Sequence, residues 1–431
     1  MTFNQECVGK YFSLSKGLGY LGKYLSSSDV GLIGLNSFDE GGSYKHGGEK
    51  EYSGPFKPEH TASPGDLFIS TTDITQDGRV LASPMLLPDL SAEFKTVIFS
   101  GDIVKAVPRQ DGLLPEFLFN ILRVKSYRDR AAYASTGTTV RRIPVVVIER
   151  LEVPVPPLET QNAINKIIGL IDEKIKLNSQ MSKHLEALEQ TVFKSWFIDF
   201  APVRALMANE KSVGLDDATA ALFPDSMEDS ESGPIPSGWT LQSLSEIGEF
   251  RNGLAMQKLP VVDDRSVLPV IKIAQLRAGN TVGADLASGL IDPKFVVSDG
   301  DILFSWSGTL EIEHWAGGEG ALNQHLFKVL GKTVPNWFIF SASRCHLPEF
   351  RKIASGKATT MGHIQRAHLD EAKVAVPPVE LMEAVGGFFA ALATKKVSLL
   401  VENRTLTELR DTLLPRLISG ELQIPVEMMI S

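Results

Sequence analysis

Two long stretches of the chain carry apolar residues at a spacing near 3.5 residues, each shortly after a Pro-Pro pair. Their apolar positions are Ile164, Ile168, Ile171, Ile175, Leu185, Leu188 and Val192 in the first, and Val385, Phe389, Leu392, Leu399, Leu406, Leu409 and Leu413 in the second. This spacing is typical of a coiled-coil seam, and Pro-Pro is a natural break before a helix. We predict helices over Thr160–Phe193 and Met382–Leu414, about 50 Å long at about 1.5 Å per residue, paired antiparallel. Asn178 and Lys396 interrupt the seam, and polar residues in a seam typically set the register in which the two helices pair. Two unrelated core helices are the alternative.

The two stretches belong to an internal repeat. Pro156-Pro157-Leu158-Glu159 recurs 221 residues later as Pro377–Glu380, and Thr138-Thr139 recurs as Thr359-Thr360. Gly101-Asp102-Ile103 resembles Gly300-Asp301-Ile302, which predicts an insertion in the second half after this point. Because so many positions match in one register, we expect the two halves to share one architecture.

Each helix is preceded by short β-branched and aromatic runs broken by Gly and Pro, as in Asp66–Ser70 and Asp301–Phe304. This pattern favours mixed or antiparallel β structure with a few helices. Pro115 and Pro335 each precede an apolar stretch that fits a short helix. The predicted fold class is therefore α+β: two globular mixed α/β modules separated by two long antiparallel helices, as a pseudo-twofold internal repeat.

Composition and charge limit the class of protein. The net charge is −9, but residues 209–232 contain seven acidic residues and one lysine, so the rest of the chain is near neutral. Residues 101–150 carry nine Lys/Arg and five Asp/Glu, which leaves a modest nucleic-acid-binding face open and excludes a strongly basic domain. Two cysteines exclude a disulfide framework. No export signal or run of about 18 apolar residues is evident, so we expect a cytoplasmic protein without a membrane span.

Motifs for covalent chemistry are incomplete. Gly331-Lys332-Thr333 lacks the earlier glycine of a phosphate-binding loop, and Asp292–Phe295 departs from the Asp-Pro-Pro-Phe/Tyr loop of amino-methyltransferases. The carboxylates at Asp89 and Glu93 crowd one short segment, unlike those of a metal nuclease. His363 and His368 are five residues apart and do not share a helical face. We therefore expect no catalytic residues and no metal site in this chain.

Several stretches resemble type I restriction-modification specificity subunits. They are Val155–Gln161, Leu185–Leu188 and Phe193–Val203 in the centre, Ile235–Trp239, Leu244–Gly248 and Leu322–His325 in the second module, and Leu413–Leu422 near the end. The resemblance covers nearly the whole chain, although the first module lacks the Pro-x-Gly-Trp opening. It implies a non-catalytic subunit that reads a split, asymmetric site in double-stranded DNA. A stand-alone nuclease or methyltransferase, or a non-DNA coiled-coil scaffold, is the alternative.

The resemblance also implies partners and cofactors. Two modification subunits would methylate adenine at N6, and restriction/translocase subunits would cut DNA; S-adenosylmethionine, ATP and Mg would bind only to these partners. The implied domains are target-recognition domain 1 (1–153), a central helical spacer (154–207), an acidic linker (208–234), target-recognition domain 2 (235–375), a C-terminal helical spacer (376–422) and a tail (423–431). The paired helices would then set the distance between two DNA half-sites, about 34 Å apart for one helical turn.

Base reading needs side chains with paired donors and acceptors. In the first domain the candidates are Lys16, Ser135, Thr136, Thr138, Thr139, Arg141 and Arg142. In the second they are Arg251, Asn252, Lys258, Gln275, Arg277, Lys357, Thr359 and Thr360. Solvated surface positions are the alternative for each. Trp196, Phe197 and Phe200 are candidates for docking partner subunits, with ordinary core packing as the alternative.

Overall fold

The computed structural model describes residues 3–39, 42, 44–73, 80–137, 140–212, 214–261, 266–356 and 362–425. The chain forms two compact units. The first combines Met1–Glu173 with Thr407–Ser431, and the second is the continuous segment Lys174–Leu406. Both boundaries fall inside long helices, so each unit contains part of each helix.

Helices and strands alternate along both units. The α-helices are α1 (Val8–Tyr11), α2 (Pro115–Arg123), α3 (Lys125–Ala132), α4 (Val145–Glu149), α5 (Leu158–Phe193), α6 (Ala201–Met207), α7 (Asp217–Ala220), α8 (Leu244–Ile247), α9 (Ile273–Ala278), α10 (Asn336–Ser355), α11 (Arg366–Glu371) and α12 (Val379–Ser419). The strands of the first unit are β1 (Gln5–Cys7), β2 (Phe12–Lys16), β3 (Val30–Ile33), β4 (Lys50–Glu51), β5 (Thr61–Ala62), β6 (Leu67–Ser70), β7 (Thr72–Asp73), β8 (Pro84–Leu86), β9 (Thr96–Phe99), β10 (Ile103–Pro108), β11 (Arg141–Arg142) and β12 (Glu152–Pro154). Those of the second are β13 (Met227–Glu228), β14 (Ile235–Pro236), β15 (Thr240–Ser243), β16 (Gly248–Asn252), β17 (Val267–Ile271), β18 (Leu286–Ser288), β19 (Val296–Val297), β20 (Ile302–Ser305), β21 (Ile312–His314), β22 (Gly320–Leu322), β23 (Leu326–Gly331) and β24 (Lys373–Val376).

The first module has two four-stranded sheets. One is antiparallel in the order β2-β10-β6-β8, and the other has the order β4-β3-β9-β5 with β3 parallel to β9. The apolar faces of α2 and of the start of α5 cover a core that includes Phe117, Ile121 and Ile164. Gln161 in α5 is buried and accepts a hydrogen bond from the backbone N–H of Leu114 at 2.9 Å. Its amide therefore fastens the helix start to the module.

The second module repeats this topology. Its antiparallel sheet has the order β16-β23-β20-β21, and its second sheet has the order β18-β17-β22-β19 with β17 parallel to β22. β15 pairs with β24 next to the second long helix, as β1 pairs with β12 next to the first. The predicted fold class and internal repeat are thus confirmed. The helix predicted after Pro115 is α2, of 9 residues, whereas the one predicted after Pro335 is α10, which at 20 residues is longer than the predicted short helix.

One predicted match within the repeat is wrong. Gly300-Asp301-Ile302 leads into β20, whose counterpart is β6, so it corresponds to Gly65-Asp66-Leu67 and not to Gly101-Asp102-Ile103. Side chains agree with this correction. Lys105 Nζ lies 3.0 Å from an Asp66 carboxylate oxygen, and Lys328 Nζ lies 2.7 Å from an Asp301 carboxylate oxygen. The segment from Asp66 to Pro115 is therefore longer than its counterpart from Asp301 to Pro335, so the insertion lies in the first half and not in the second.

The long helices α5 and α12 run antiparallel in both units. In the first unit, Asp172 of α5 binds Arg123 of α2 and Arg410 of α12, with nearest distances of 2.6 and 3.1 Å. In the second, the buried Asn178 donates from Nδ2 to a Glu402 carboxylate oxygen at 2.9 Å. These contacts confirm the prediction of antiparallel pairing.

Lys396 is the second polar residue in the predicted seam, and it is buried. Its ammonium lies 2.6 Å from a Glu186 carboxylate oxygen and 2.9 Å from one of Glu313, which belongs to β21. Arg344 of α10 also pairs with Glu186. The seam polar residue therefore joins both long helices to the second module through one charged cluster.

By length and composition, α12 is apolar enough to cross a membrane, contrary to the sequence expectation. Core helices of soluble proteins pass the same test, and Leu381, Val385 and Phe389 of α12 are buried in the core of the second module. This property alone therefore does not indicate a membrane span.

Part of the acidic segment 208–234 packs against the second module. It contains α7 and β13, and β13 pairs with β14. Phe223 is buried and its ring lies 6.4 Å from that of Trp196 and 6.3 Å from that of Trp239. An aromatic anchor therefore holds this acidic segment to the core.

Candidate nucleic-acid interface

Four chain segments meet beside the antiparallel sheet of each module, and we name this area the strand-end surface. In the first module it consists of Lys16 at the end of β2, Thr71, Asp102 and Arg142; in the second it consists of Asn252 at the end of β16, Trp306, His325 and His363. The two sets occupy equivalent places because the strands pair in the same way in both modules. Apart from the buried Thr71, the two modules therefore present different side chains from matched backbone positions.

The same hydrogen bonds hold this backbone in both modules. The N–H of Leu18 donates to Phe99 O at 2.8 Å, and that of Leu254 donates to Leu322 O at 2.9 Å. The N–H of Ile143 donates to Thr71 O at 2.8 Å, and that of Ile364 donates to Trp306 O at 2.9 Å. Ile143 and Ile364 are 221 residues apart, so the sequence register holds here.

A glycine precedes Leu18 and Leu254 because the neighbouring chain passes too close for a side chain. A Cβ at Gly17 would lie 2.3 Å from Ser100 O, and one at Gly253 would lie 2.2 Å from Asn323 O. Non-bonded heavy atoms do not approach this closely. Both modules therefore need glycine next to Lys16 and Asn252, and these two candidate residues are equivalent.

The first strand-end surface carries cationic and hydroxyl groups and one carboxylate, that of Asp102. Lys16, Thr136 and Arg142 are exposed. Arg141 donates from Nη2 to Ser135 Oγ at 2.8 Å, which occupies part of its guanidinium. The backbones of Thr136 and Arg142 exchange two hydrogen bonds of 2.9 Å. The candidates Ser135, Thr136, Arg141 and Arg142 are thus brought together, whereas Thr138 and Thr139 lie outside the described residues.

The second strand-end surface is aromatic and amide-rich. The indole N–H of Trp306 donates to Asn252 Oδ1 at 3.1 Å, and its ring centroid lies 5.6 Å from that of His325. Ser307 Oγ and His325 Nδ1 are 3.1 Å apart. Sequence reasoning missed Trp306, His325 and His363 as site residues, although Leu322–His325 was already noted as a family motif.

The remaining candidates of the second module have other local roles or positions. Arg251 pairs with Glu249 at 2.8 Å, and Arg277 lies 3.8 Å from Glu311. Gln275 is buried, and its Oε1 accepts from the N–H of Lys272 at 3.3 Å, which caps α9. Lys258 is exposed in a short 3-10 turn. Lys357, Thr359 and Thr360 lie outside the described residues.

The predicted docking residues lie mainly in the core. Trp196 is buried and Phe197 has no exposed surface; both pack in the core of the second module. Phe200 is half-buried, and its ring lies 5.7 Å from that of Trp239. A buried ring cannot contact a partner while its cluster stays folded, so the core-packing alternative holds for Trp196 and Phe197.

A cavity of about 610 Å³ adjoins the charged cluster of the second unit, and its lining includes Arg344, Cys345 and Glu313. Cys345 is exposed, and partial desolvation by its neighbours raises the pKa of its thiol above the ordinary value, so this thiol is protonated at neutral pH. Among the residues that the structure describes, no three His, Cys, Asp or Glu side chains are grouped to hold a metal ion. The cavity therefore shows neither an activated nucleophile at Cys345 nor a metal cluster.

Comparisons with known proteins agree with the sequence motifs. Residues 89–187 match the family model of the type I restriction modification DNA specificity domain. The chain is 24% identical over 438 residues to the type I restriction enzyme HindI specificity subunit of Haemophilus influenzae, covering 84% of this chain and 95% of that protein. It is 24% identical over 330 residues to the type I restriction enzyme MjaIX specificity subunit of Methanocaldococcus jannaschii, covering 73% and 71%.

A solved structure shares the fold. The type I restriction-modification S subunit from M. genitalium superposes with a TM-score of 0.51 at 15% identity, covering 98% of this chain and 97% of that one. At this identity the similarity shows the fold alone. The family match, the two curated relatives and the duplicated modules together make the chain similar to the specificity subunits of type I restriction-modification systems.

Proposed function

We propose that each module reads one part of a split, asymmetric target in double-stranded DNA. The observation that carries this proposal is the pair of strand-end surfaces, whose backbones match while their exposed side chains differ. Arg142 and Lys16 offer donors, whereas Asn252 and His363 offer amide and imidazole groups. Different side chains on equivalent backbones favour different base sequences.

The proposed role is non-catalytic. Two modification subunits would bind S-adenosylmethionine and methylate adenine at N6, and restriction/translocase subunits would use ATP and Mg to cut DNA in the cytoplasm. The curated relatives are named specificity subunits, which supports this division of work. The chain's own contribution would then be recognition of the target.

Partner subunits would supply most of the DNA affinity. The chain has a net charge of −9, and phosphate neutralisation dominates non-specific DNA binding. We therefore expect the isolated chain to bind its target far more weakly than the assembled complex does. Titration of a labelled target duplex measures both, and nanomolar affinity of the isolated chain would contradict this expectation.

A methylation library tests the proposed function directly. The chain is assembled with its modification subunits, incubated with duplexes of random sequence, and the methylated adenines are mapped by sequencing. The expected result is one motif made of two different parts separated by unread base pairs. Methylation without sequence preference, or a single uninterrupted motif, would refute the proposal.

A further inference from the structure

We propose that Arg142 and His363 determine the base preference at one matched position in each part of the target. This inference rests on the proposed function and adds which residues discriminate bases. The two residues occupy the same place in the two modules. Arg142 forms an antiparallel pair with Thr72, and His363 forms an antiparallel bridge with Ser307.

The backbone at both residues is held by the core. Ile143 and Ile364, which follow them directly, are each 3% exposed and donate matched hydrogen bonds to Thr71 O and Trp306 O. A base-reading side chain needs such a fixed origin, because a loosely held side chain contacts several bases equally well. The structure provides the same rigid attachment point twice.

The two side chains differ in exposure and in chemistry. Arg142 is exposed and His363 is half-buried, with its ring centroid 6.5 Å from that of Trp306. A guanidinium donates two parallel hydrogen bonds to guanine O6 and N7, whereas an imidazole offers one nitrogen at a time. We therefore expect Arg142 to select guanine and His363 to make a weaker, different selection at its matched position.

Matched backbone hydrogen bonds connect Arg142 and His363 to the neighbouring segments of their modules. Thr71 donates its N–H to Asp102 O at 3.1 Å, and Trp306 donates its N–H to His325 O at 3.4 Å. Gly101 in turn donates to Leu18 O at 2.9 Å, as Gln324 donates to Leu254 O at 2.8 Å. Hydrogen-bonded backbone thus connects Arg142 with the Lys16 segment, and His363 with the Asn252 segment.

Exchange of the two residues tests this inference. The variants R142H, H363R and the double exchange are assembled with modification subunits and assayed on the random-duplex methylation library. R142H is expected to reduce guanine preference at one position of one part by about tenfold. H363R is expected to create guanine preference of similar size at one position of the other part only.

Controls separate specificity from charge and folding. H184R makes the same residue change as H363R, and K125H replaces a cationic side chain with histidine as R142H does; both lie at exposed positions, in α5 and α3, and should leave the motif unchanged. If R142H lowers the unfolding temperature, R142K replaces it: lysine keeps the charge but lacks the paired donors, so affinity should persist while guanine preference falls.

The outcomes of the library assay are distinct. A motif within twofold of wild type at every position, in both R142H (or R142K) and H363R, would overturn the inference. Changes in both parts of the target from one substitution would overturn it as well. A wild-type complex without any sequence preference would instead refute the proposed function.

Discussion

Replacement of Lys396 by methionine should destabilise the second unit. The Lys396 side chain is 4% exposed and its ammonium binds Glu186 and Glu313 at 2.6 and 2.9 Å. Burial alone would raise the pKa of Glu186, but Lys396 and Arg344 hold it below its ordinary value. Without the ammonium, Arg344 alone must neutralise both carboxylates.

The magnitude follows from the burial of the partners. Removal of one member of a buried ion pair costs about 3–5 kcal/mol. The carboxylate side chains of Glu186 and Glu313 are 25% and 32% exposed, so water relieves part of this cost. We therefore expect a loss of about 3 kcal/mol at neutral pH, which is roughly 6–12 °C in unfolding temperature for a unit of this size.

Chemical and thermal unfolding of K396M and K395M measure this effect. Lys395 is exposed on the same helix turn, so K395M removes the same charge without opening the cluster. The ionised Glu186 stabilises wild type above its unfolded pKa near 4.3, and this contribution is lost as the pH falls through its lower folded pKa. The deficit of K396M should therefore stay constant from pH 8 to pH 5 and shrink only as the pH falls below about 4.3. Equal stability of K396M and K395M at pH 8 would refute the reasoning.

Three further predictions concern single residues. Burial and nearby cations lower the pKa of His314 to about 3, so stability should be lost as the pH falls below about 6.5, by about 2 kcal/mol at pH 5; urea unfolding of H314F should lack this loss, and an unchanged pH dependence would count against it. D172N weakens the pairing of the buried Arg123 and should cost about 2–3 kcal/mol against the exposed control E173Q in thermal unfolding; equal unfolding temperatures would contradict this. G253A forces a Cβ against a backbone oxygen and should blur the motif in one part of the target only in the methylation library; an intact motif would show that the close approach is unnecessary.

The long helices could be predicted because their signal is local and periodic. A spacing near 3.5 residues, broken by Asn178 and Lys396, is visible without any tertiary contact. The wrong match of Gly101-Asp102-Ile103 with Gly300-Asp301-Ile302 arose because a tripeptide carries no such periodic signal. Gly-Asp followed by an apolar residue precedes both β6 and β10 of the first module, so a tripeptide alone cannot tell which strand is the counterpart of β20.

The candidate site was less predictable because it is assembled from distant segments. Trp306, His325 and His363 come from three separate parts of the second module, and only the fold brings them together. Trp196 and Phe197 illustrate the other difficulty. An aromatic run after a helix fits docking and core packing equally well, and only the contacts with Trp239 and Trp337 decide between them.

The first compact unit combines two segments that lie far apart in the sequence, and this has a consequence for biosynthesis. The second unit is a continuous segment, so all of its own contacts are encoded between Lys174 and Leu406. The first unit must wait for Leu414, Leu417 and Ile418, which close the core around Ile164 and Ile168. Until these residues of α12 have been synthesised, the core around Ile164 and Ile168 stays uncovered on the nascent chain, so the first module is protected from proteases later than its place in the sequence suggests.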